Sequence, residues 1–316
     1  MHDVAHSALS RRLLERLRDH VTFVVFGLVT IYFILAAPNF ASLTTAEAVL
    51  RITAIVSIMA VGMTFVIIAA EIDLSVGSMA SLSGMIGALL LQGGLGWGAA
   101  VILTLLFGIL VGGISGLLVT ILRIPSFLVT LGMLSVLSGV ALTITDTRPV
   151  PIISNEFANV LWNGSVANIP APIIWTFAIA IIGFYVLHVT PLGKRVFATG
   201  GNVVAARFSG VRTGRIKLLA FMLSGFTASF AGLMLAARST AGNPSLGSGL
   251  ELDVIAAVII GGTSLFGGRG GIIGSVIGAI FIGVVGFGLL VLGFTTSIQQ
   301  IIKGAIIIGA VAVARR

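Results

Sequence analysis

Ten apolar runs, long enough or nearly long enough to cross a bilayer, follow one another along this chain, and the stretches between them are mostly short. About 20 apolar residues cross a hydrocarbon core as an α-helix. On that measure the spans are 21–37, 49–70, 75–92, 97–122, 125–145, 173–189, 218–237, 251–266, 271–292 and 298–314, the third and eighth being short. In lipid each backbone polar group needs a partner within the chain, so runs of this kind are helical. The expected fold is an all-α polytopic membrane protein of about ten transmembrane helices. A soluble chain of 316 residues would suggest two domains, but 57% hydrophobic residues against 9% charged set that aside.

Residues 1–20 set Arg11, Arg12, Arg16 and Arg18 beside Leu9, Leu13, Leu14 and Leu17, the spacing of a basic amphipathic arm on the cytoplasmic membrane surface. The run 21–37 is long for a signal-peptide core, and Pro38-Asn39-Phe40 is a poor cleavage site, so it reads as a retained first span. The transmembrane domain is then 21–316. With the N-terminus inside, ten spans put both termini in the cytoplasm. The four arginines of the arm, Arg123, the six bases of 190–217, Arg269, Arg315 and Arg316 are then inside, 14 of the 18 bases. Arg51, Arg148 and Arg238 fall outside, and Lys303 lies within the last span. This satisfies the cytoplasmic bias of Lys and Arg. The net charge of +8 is dispersed between apolar runs and forms no soluble basic face, which argues for anionic lipid as its partner and against nucleic acid. The chain has no Cys, which excludes disulfides and thiol chemistry.

The longest external segment, 146–172, holds Pro149, Pro151, Pro170 and Pro172 and is expected to be a structured loop, with Trp162 and Trp175 anchored at the interface. Gly108, Gly112 and Gly116 recur at intervals of four, as do Gly270, Gly274 and Gly278. Small residues so spaced let helix backbones approach closely in lipid. The words Glu71-Ile72-Asp73-Leu74 and Glu251-Leu252-Asp253-Val254 lie 180 residues apart, each between a long span and a short one. They place the first pair at the cytoplasmic side and the second at the external side, as two inverted five-helix halves would.

Acids are scarce, and four of the ten are Glu71, Asp73, Glu251 and Asp253. A carboxylate against hydrocarbon is costly, and it faces either a partner or a water-filled path. These four, with Ser75 and Ser78, are the candidates for a translocation path. Asp73, Ser75 and Ser78 can instead cap the short helix that follows them. Glu71 has no such role and is expected in a polar cavity, as a substrate contact or paired with Arg123 or Arg269. No enzyme site is visible. The Gly-x-x-x-x-Gly-Lys-Ser/Thr loop for ATP is missing, the glycine-rich run 261–271 follows no nucleotide-binding strand, and His2, His6, His20 and His188 are too scattered for a metal.

One stretch must lie in water. Residues 190–217 carry Lys194, Arg195, Arg207, Arg212, Arg215 and Lys217, and no acid occurs between Glu156 and Glu251. Asn202 can cap a helix from Val203 to Ser209, and Gly210 can end it in a left-handed conformation. Two turns are unstable alone in water, so this chain or a partner must hold them.

The wording of that stretch is Pro191-Leu192-Gly193-Lys194-Arg195, Ala198-Thr199-Gly200-Gly201-Asn202, Ala205-Ala206-Arg207 and Ser209-Gly210-Val211. Together with Met59-Ala60-Val61-Gly62-Met63, Glu71 to Ser78, Pro125-Ser126-Phe127-Leu128-Val129-Thr130-Leu131, Glu251 to Ala257 and Gly261-Gly262-Thr263-Ser264-Leu265, it resembles the permease subunits of bacterial ABC sugar importers of the ribose and xylose type. The likeness runs from about residue 38 to the C-terminus. It implies a homodimer in the inner membrane, a separate ATPase subunit that binds the ATP, and a periplasmic sugar-binding protein. Alternating access would move a pentose, hexose or polyol. It also implies that the short helix docks on the ATPase through Gly201, Asn202, Ala205, Ala206, Arg207 and Gly210, with the two alanines small because a groove closes over them. Ribose-type members tend to have Gly where Glu71 stands and xylose-type members Glu, although the latter are often longer. An ion-coupled secondary transporter using Glu71 and Asp73 is the alternative, and a membrane scaffold a third reading.

Overall fold

The computed structural model describes residues 24–314, so the arm expected over 1–20 and the bases Arg315 and Arg316 lie outside the described residues. Thirteen α-helices follow in order among the described residues, with a π-helical turn over Asn159–Asn163 after the sixth. They are α1 (Val24–Ala36), α2 (Leu43–Ile68), α3 (Val76–Gln92), α4 (Trp97–Ile121), α5 (Ser126–Ile144), α6 (Asn155–Ala158) and α7 (Ala171–Val189, its last turn π-helical). Then come α8 (Pro191–Gly201), α9 (Val203–Phe208), α10 (Thr213–Ser239), α11 (Leu250–Ile260), α12 (Ile272–Val291) and α13 (Thr296–Ala314). Helices α2, α4, α5, α7, α10 and α12 are each long and apolar enough to cross a membrane. The ten expected spans correspond one for one to α1–α5, α7 and α10–α13. The eighth is shorter than expected. It stops at Ile260 because the Gly262 and Thr263 amides fold back onto Ile259 and Val258, with Gly262 at φ +89°, a conformation that suits glycine. Residues 261–271 are therefore a loop.

Helices α2 and α10 form the buried axis, while α5 and α7 are mostly exposed along their apolar length. The close approaches follow the glycines. Gly108, Gly112 and Gly116 all face α10, the first lying on the Gly225 carbonyl and Ser229, the second on Phe221 and the third on Leu218. Gly274 and Gly278 face Gly261 and Ala257 of α11, whereas Gly270 belongs to the loop and rests on Thr263. Hydroxyl pairs add cross-links within the apolar interior, Ser83 with Ser229 at 2.7 Å and Thr64 with Ser275 at 2.7 Å.

The loops gather at two opposite ends. At one, 146–172 is a structured loop. Its strand β1 (Val150–Pro151) pairs antiparallel with Ala241–Gly242, and a small hairpin joins Ser165–Val166 to Ile169–Pro170. Trp162 and Trp175 both have partners within the protein. Trp175 Nε1 donates to the Val160 carbonyl at 2.8 Å and its ring meets Phe230 edge-on, while the Arg238 guanidinium lies 5.4 Å over the Trp162 ring. At the other end lie 69–75, 190–217 and 261–271, in mutual contact.

Candidate functional site

Two non-helical segments enter the bundle from its opposite ends and meet inside. The first leaves α2 through Ala70, which takes a left-handed conformation (φ +60°) while the Glu71 amide bonds back to the Val66 carbonyl at 3.1 Å. It then climbs along α10. Glu71 meets Lys217 and Asp73 meets Ser224, positions roughly 10 Å apart on the α10 axis at 1.5 Å per residue. Only there does α3 begin. The second segment leaves α10 at Thr240 and runs down α3, Gly242 against Gly84 and Met85, Gly247 against Gly77 and Ser81. There α11 begins. The acid pairs therefore do not sit at the two membrane faces as the topology suggested, because each half's chain breaks and re-enters before its short helix starts. The opposite directions of α3 and α11 are those of inverted halves.

Three of the four acids have side-chain partners. Asp73 is 3% exposed, and its Oδ1 accepts from the Ser75 amide at 3.0 Å and the Ser75 hydroxyl at 2.6 Å. Its Oδ2 accepts from the Ser224 hydroxyl of α10 at 2.7 Å. Asp73 reaches only the amide of Ser75, just ahead of α3, and none of the three expected residues caps an amide of the helix itself. Ser75 gives its hydroxyl to Asp73, and Ser78 donates to the Ser75 carbonyl at 2.9 Å. Glu71 is ion-paired with Lys217, not with Arg123 or Arg269. Asp253 is ion-paired with Lys303 of α13 at 2.7 Å, which answers for the lone base in the last span. Glu251 lies against Gly77, where a Cβ would collide with its Oε2 and come within 2.6 Å of the Gly247 carbonyl oxygen.

The hydrophilic segment is largely helical. Asn202 ends α8 and caps α9, its Oδ1 accepting from the Val204 and Ala205 amides, each at 3.0 Å. Gly210 closes α9 in the expected left-handed conformation (φ +81°). Ala206 is buried at 5% exposure within this chain, where α9 packs on α8 and α10. Its small size is thus required by the protein's own packing. The outward face carries Val204, Ala205, Arg207 and Phe208, and Phe208 is 90% exposed. Gly201 and Asn202 are exposed too.

Two furrows flank α7. One of about 450 Å³ lies between α2, α7 and α12, lined by Ser57, Phe177, Ile181 and Ile273 among others, and one of about 250 Å³ lies between α2, α7 and α10. Neither is lined by a carboxylate or an amide side chain, so neither has the donors and acceptors that hold a polyhydroxylated ligand. Among the described residues no group of His, Cys, Asp or Glu could hold a metal ion.

Residues 45–311 match the model of a family described as branched-chain amino acid transport system / permease component. The chain belongs to that permease family. The ribose import permease protein of Haemophilus influenzae is 39% identical to this permease over 278 residues, 87% of this chain and 86% of the relative. The D-allose transport system permease protein of Escherichia coli is 36% identical, covering 93% and 90%, and the xylose transport system permease protein of Escherichia coli is 34% identical, covering 83% and 82%. No solved structure matches the permease.

Sequence reasoning missed three functional candidates in this permease. Lys217 reads in sequence as one more loop charge, yet it is the partner of Glu71. Ser224 looks like one more small polar residue in a span, though a hydroxyl that can reach a buried acid is the signal to look for. Phe208 was passed over beside the alanines, although an aromatic ring between Arg207 and Ser209 in a water-facing helix is conspicuous.

Proposed function

We propose that this protein is the permease subunit of an ATP-driven importer of a monosaccharide, a pentose, hexose or polyol, in the bacterial inner membrane. It works as a homodimer with a separate ATPase subunit, which holds the ATP, and with a periplasmic sugar-binding protein. The observation that carries this reading is α9. It is a capped two-turn helix outside the bundle that exposes Phe208 and Val204 among unopposed bases, in a chain whose relatives are named for ribose, allose and xylose transport. An aromatic side chain left in water is suited to fill a recess on a partner. The ATPase then contacts Gly201, Asn202, Val204, Ala205, Arg207 and Phe208. Ala206 and Gly210 shape the helix from within.

Transport by alternating access is part of this reading, and the two helix breaks support it. Glu71, Asp73, Ser75, Ser78, Glu251 and Asp253 fix where α3 and α11 begin, and so shape the wall of the central path. Ion coupling is a poorer account, since Glu71 and Asp73 are held by Lys217, Ser75 and Ser224. Proteoliposomes carrying the permease and its ATPase, supplied with the binding protein, should take up labelled ribose, xylose or allose only with ATP. Uptake driven by an ion gradient without the ATPase overturns this reading. Phe208→Asp should abolish co-purification of the ATPase while the permease still inserts.

A further inference from the structure

The glycine-rich run 261–271 has no part in the acid contacts, yet its backbone is wedged between the two segments that lead to the helix breaks and to α9. The Gly268 amide donates to the carbonyl of Ile68, the last residue of α2, at 2.9 Å. A Cβ on Gly200 of α8 would collide with that same carbonyl oxygen and come within 2.8 Å of the Gly268 nitrogen. Gly267 rests on Ala70 and on the Gly200 carbonyl, and Gly268 rests on Gly201. Gly268 also holds φ +71°, which side chains rarely adopt. Three segments therefore meet backbone to backbone: the end of α2, the end of α8 and the turn from α11 to α12. With no side chain larger than the Ala70 methyl between them there is no rotamer to rearrange, and displacement of one must carry the others.

This contact lies immediately before α9, whose cap is Asn202. Beyond α9, Arg207 Nε donates to the Thr213 hydroxyl at 2.9 Å, and Lys217 one turn later holds Glu71. Helix α9 is thus tied on both sides to the break between α2 and α3. Through the loop it is tied as well to α11, whose head bears Glu251. We propose that Gly200, Gly267 and Gly268 form a transmission joint that carries displacement of α9 to both helix breaks. They are positioning residues that touch neither sugar nor nucleotide. The proposal rests on the reading of α9 as the ATPase-docking helix.

The test uses the assembled transporter. In Gly200→Ala the ATPase should co-purify at the wild-type ratio and still hydrolyse ATP, while ATP-driven uptake of labelled ribose, xylose or allose falls roughly tenfold or more. Gly214→Ala, whose Cβ would meet only Thr120 at 3.8 Å, is the control in the same segment and should keep its uptake. Full uptake by Gly200→Ala overturns the joint alone, whereas a wild-type chain that does not retain the ATPase overturns the docking reading with it. A second measurement stands even where Gly200→Ala fails to fold. Spin labels at Ala198→Cys and Phe266→Cys, both exposed positions, should keep one separation in the nucleotide-free and ATP-trapped states. The separation between the Phe266→Cys labels of the two copies should change. A changed distance across the joint, or no change between copies, overturns the proposal.

Discussion

The two short helices α3 and α11 begin side by side and run apart, and each is headed by the same pattern of acid, apolar residue, acid. The roles within that pattern are exchanged. In the first half the glutamate takes the lysine, Glu71 with Lys217, and the aspartate is locked inside by Ser75 and Ser224. In the second half the aspartate takes the lysine, Asp253 with Lys303, and the glutamate lies at the junction against Gly77. A buried carboxylate is tolerated where hydroxyl and amide donors converge on it, as at Asp73, or where a base reaches it from a neighbouring helix, as at Glu71. Which acid does which depends on how far each half's non-helical segment penetrates before its helix begins. The repeated sequence word therefore fixes where acids are needed, and the surrounding helices decide what each one does.

Asp73→Ala gives the largest expected effect and tests the locked member. It strands the Ser75 and Ser224 hydroxyls at a buried site and should cost about 3 kcal/mol. Asp253→Ala leaves only Lys303, whose side chain is 24% exposed and can turn toward solvent or head groups, so about 1 kcal/mol is expected. Thermal unfolding in detergent should rank the two in that order, and the reverse ranking would dissolve the distinction between the halves.

Gly77→Ala tests the junction, with an expected loss of about 2 kcal/mol from overpacking against Glu251 and the Gly247 carbonyl. Glu251→Ala in the same chain should recover part of that loss, because one of the two colliding groups is gone. Strict additivity in the double-mutant cycle would mean that the two half-helix heads do not touch.

The smallest effect on stability is expected from Glu71→Ala, about 1 kcal/mol, since the freed Lys217 side chain is 21% exposed and can turn to solvent, whereas Lys217→Ala strands the buried Glu71 and should cost more. Here the readout is transport. Glu71→Ala and Lys217→Ala should each lower uptake while leaving ATPase capture intact, and exchanging the two residues should restore part of it. If the exchanged pair transports no better than either single variant, the pair is not what joins α10 to the first break.

The sequence made the spans legible because lipid demands length and apolarity locally, and the α9 cap legible because Asn202 and its amides are neighbours. The stripe Gly108-Gly112-Gly116 was legible for the same reason. What stayed hidden depends on distant parts of the chain. Lys217 is 146 residues from Glu71, and Lys303 is 50 from Asp253. An apolar run also does not say how deep in the bundle its helix starts, so the acid pairs were placed at opposite faces when their segments in fact meet. The burial of Ala206 against α8 and α10 is hidden for a related reason. A small residue signals close contact but not whether the contact is with another protein or with the chain's own next helix.

The length of α11 bears on how the protein is made. Eleven residues rise only about 17 Å as a helix, little more than half of a hydrocarbon core. With Glu251 and Asp253 at its head, such a segment has little tendency to leave a translocation channel for lipid as it emerges. Its lateral entry has to wait for α12, whose Gly274 and Gly278 pack against Gly261 and Ala257, and for Lys303 in α13, which neutralises Asp253. The second half of this protein can therefore be completed only when its last helix has been synthesised, and a nascent chain released before α13 would leave α11, and the junction beside Gly77, unseated.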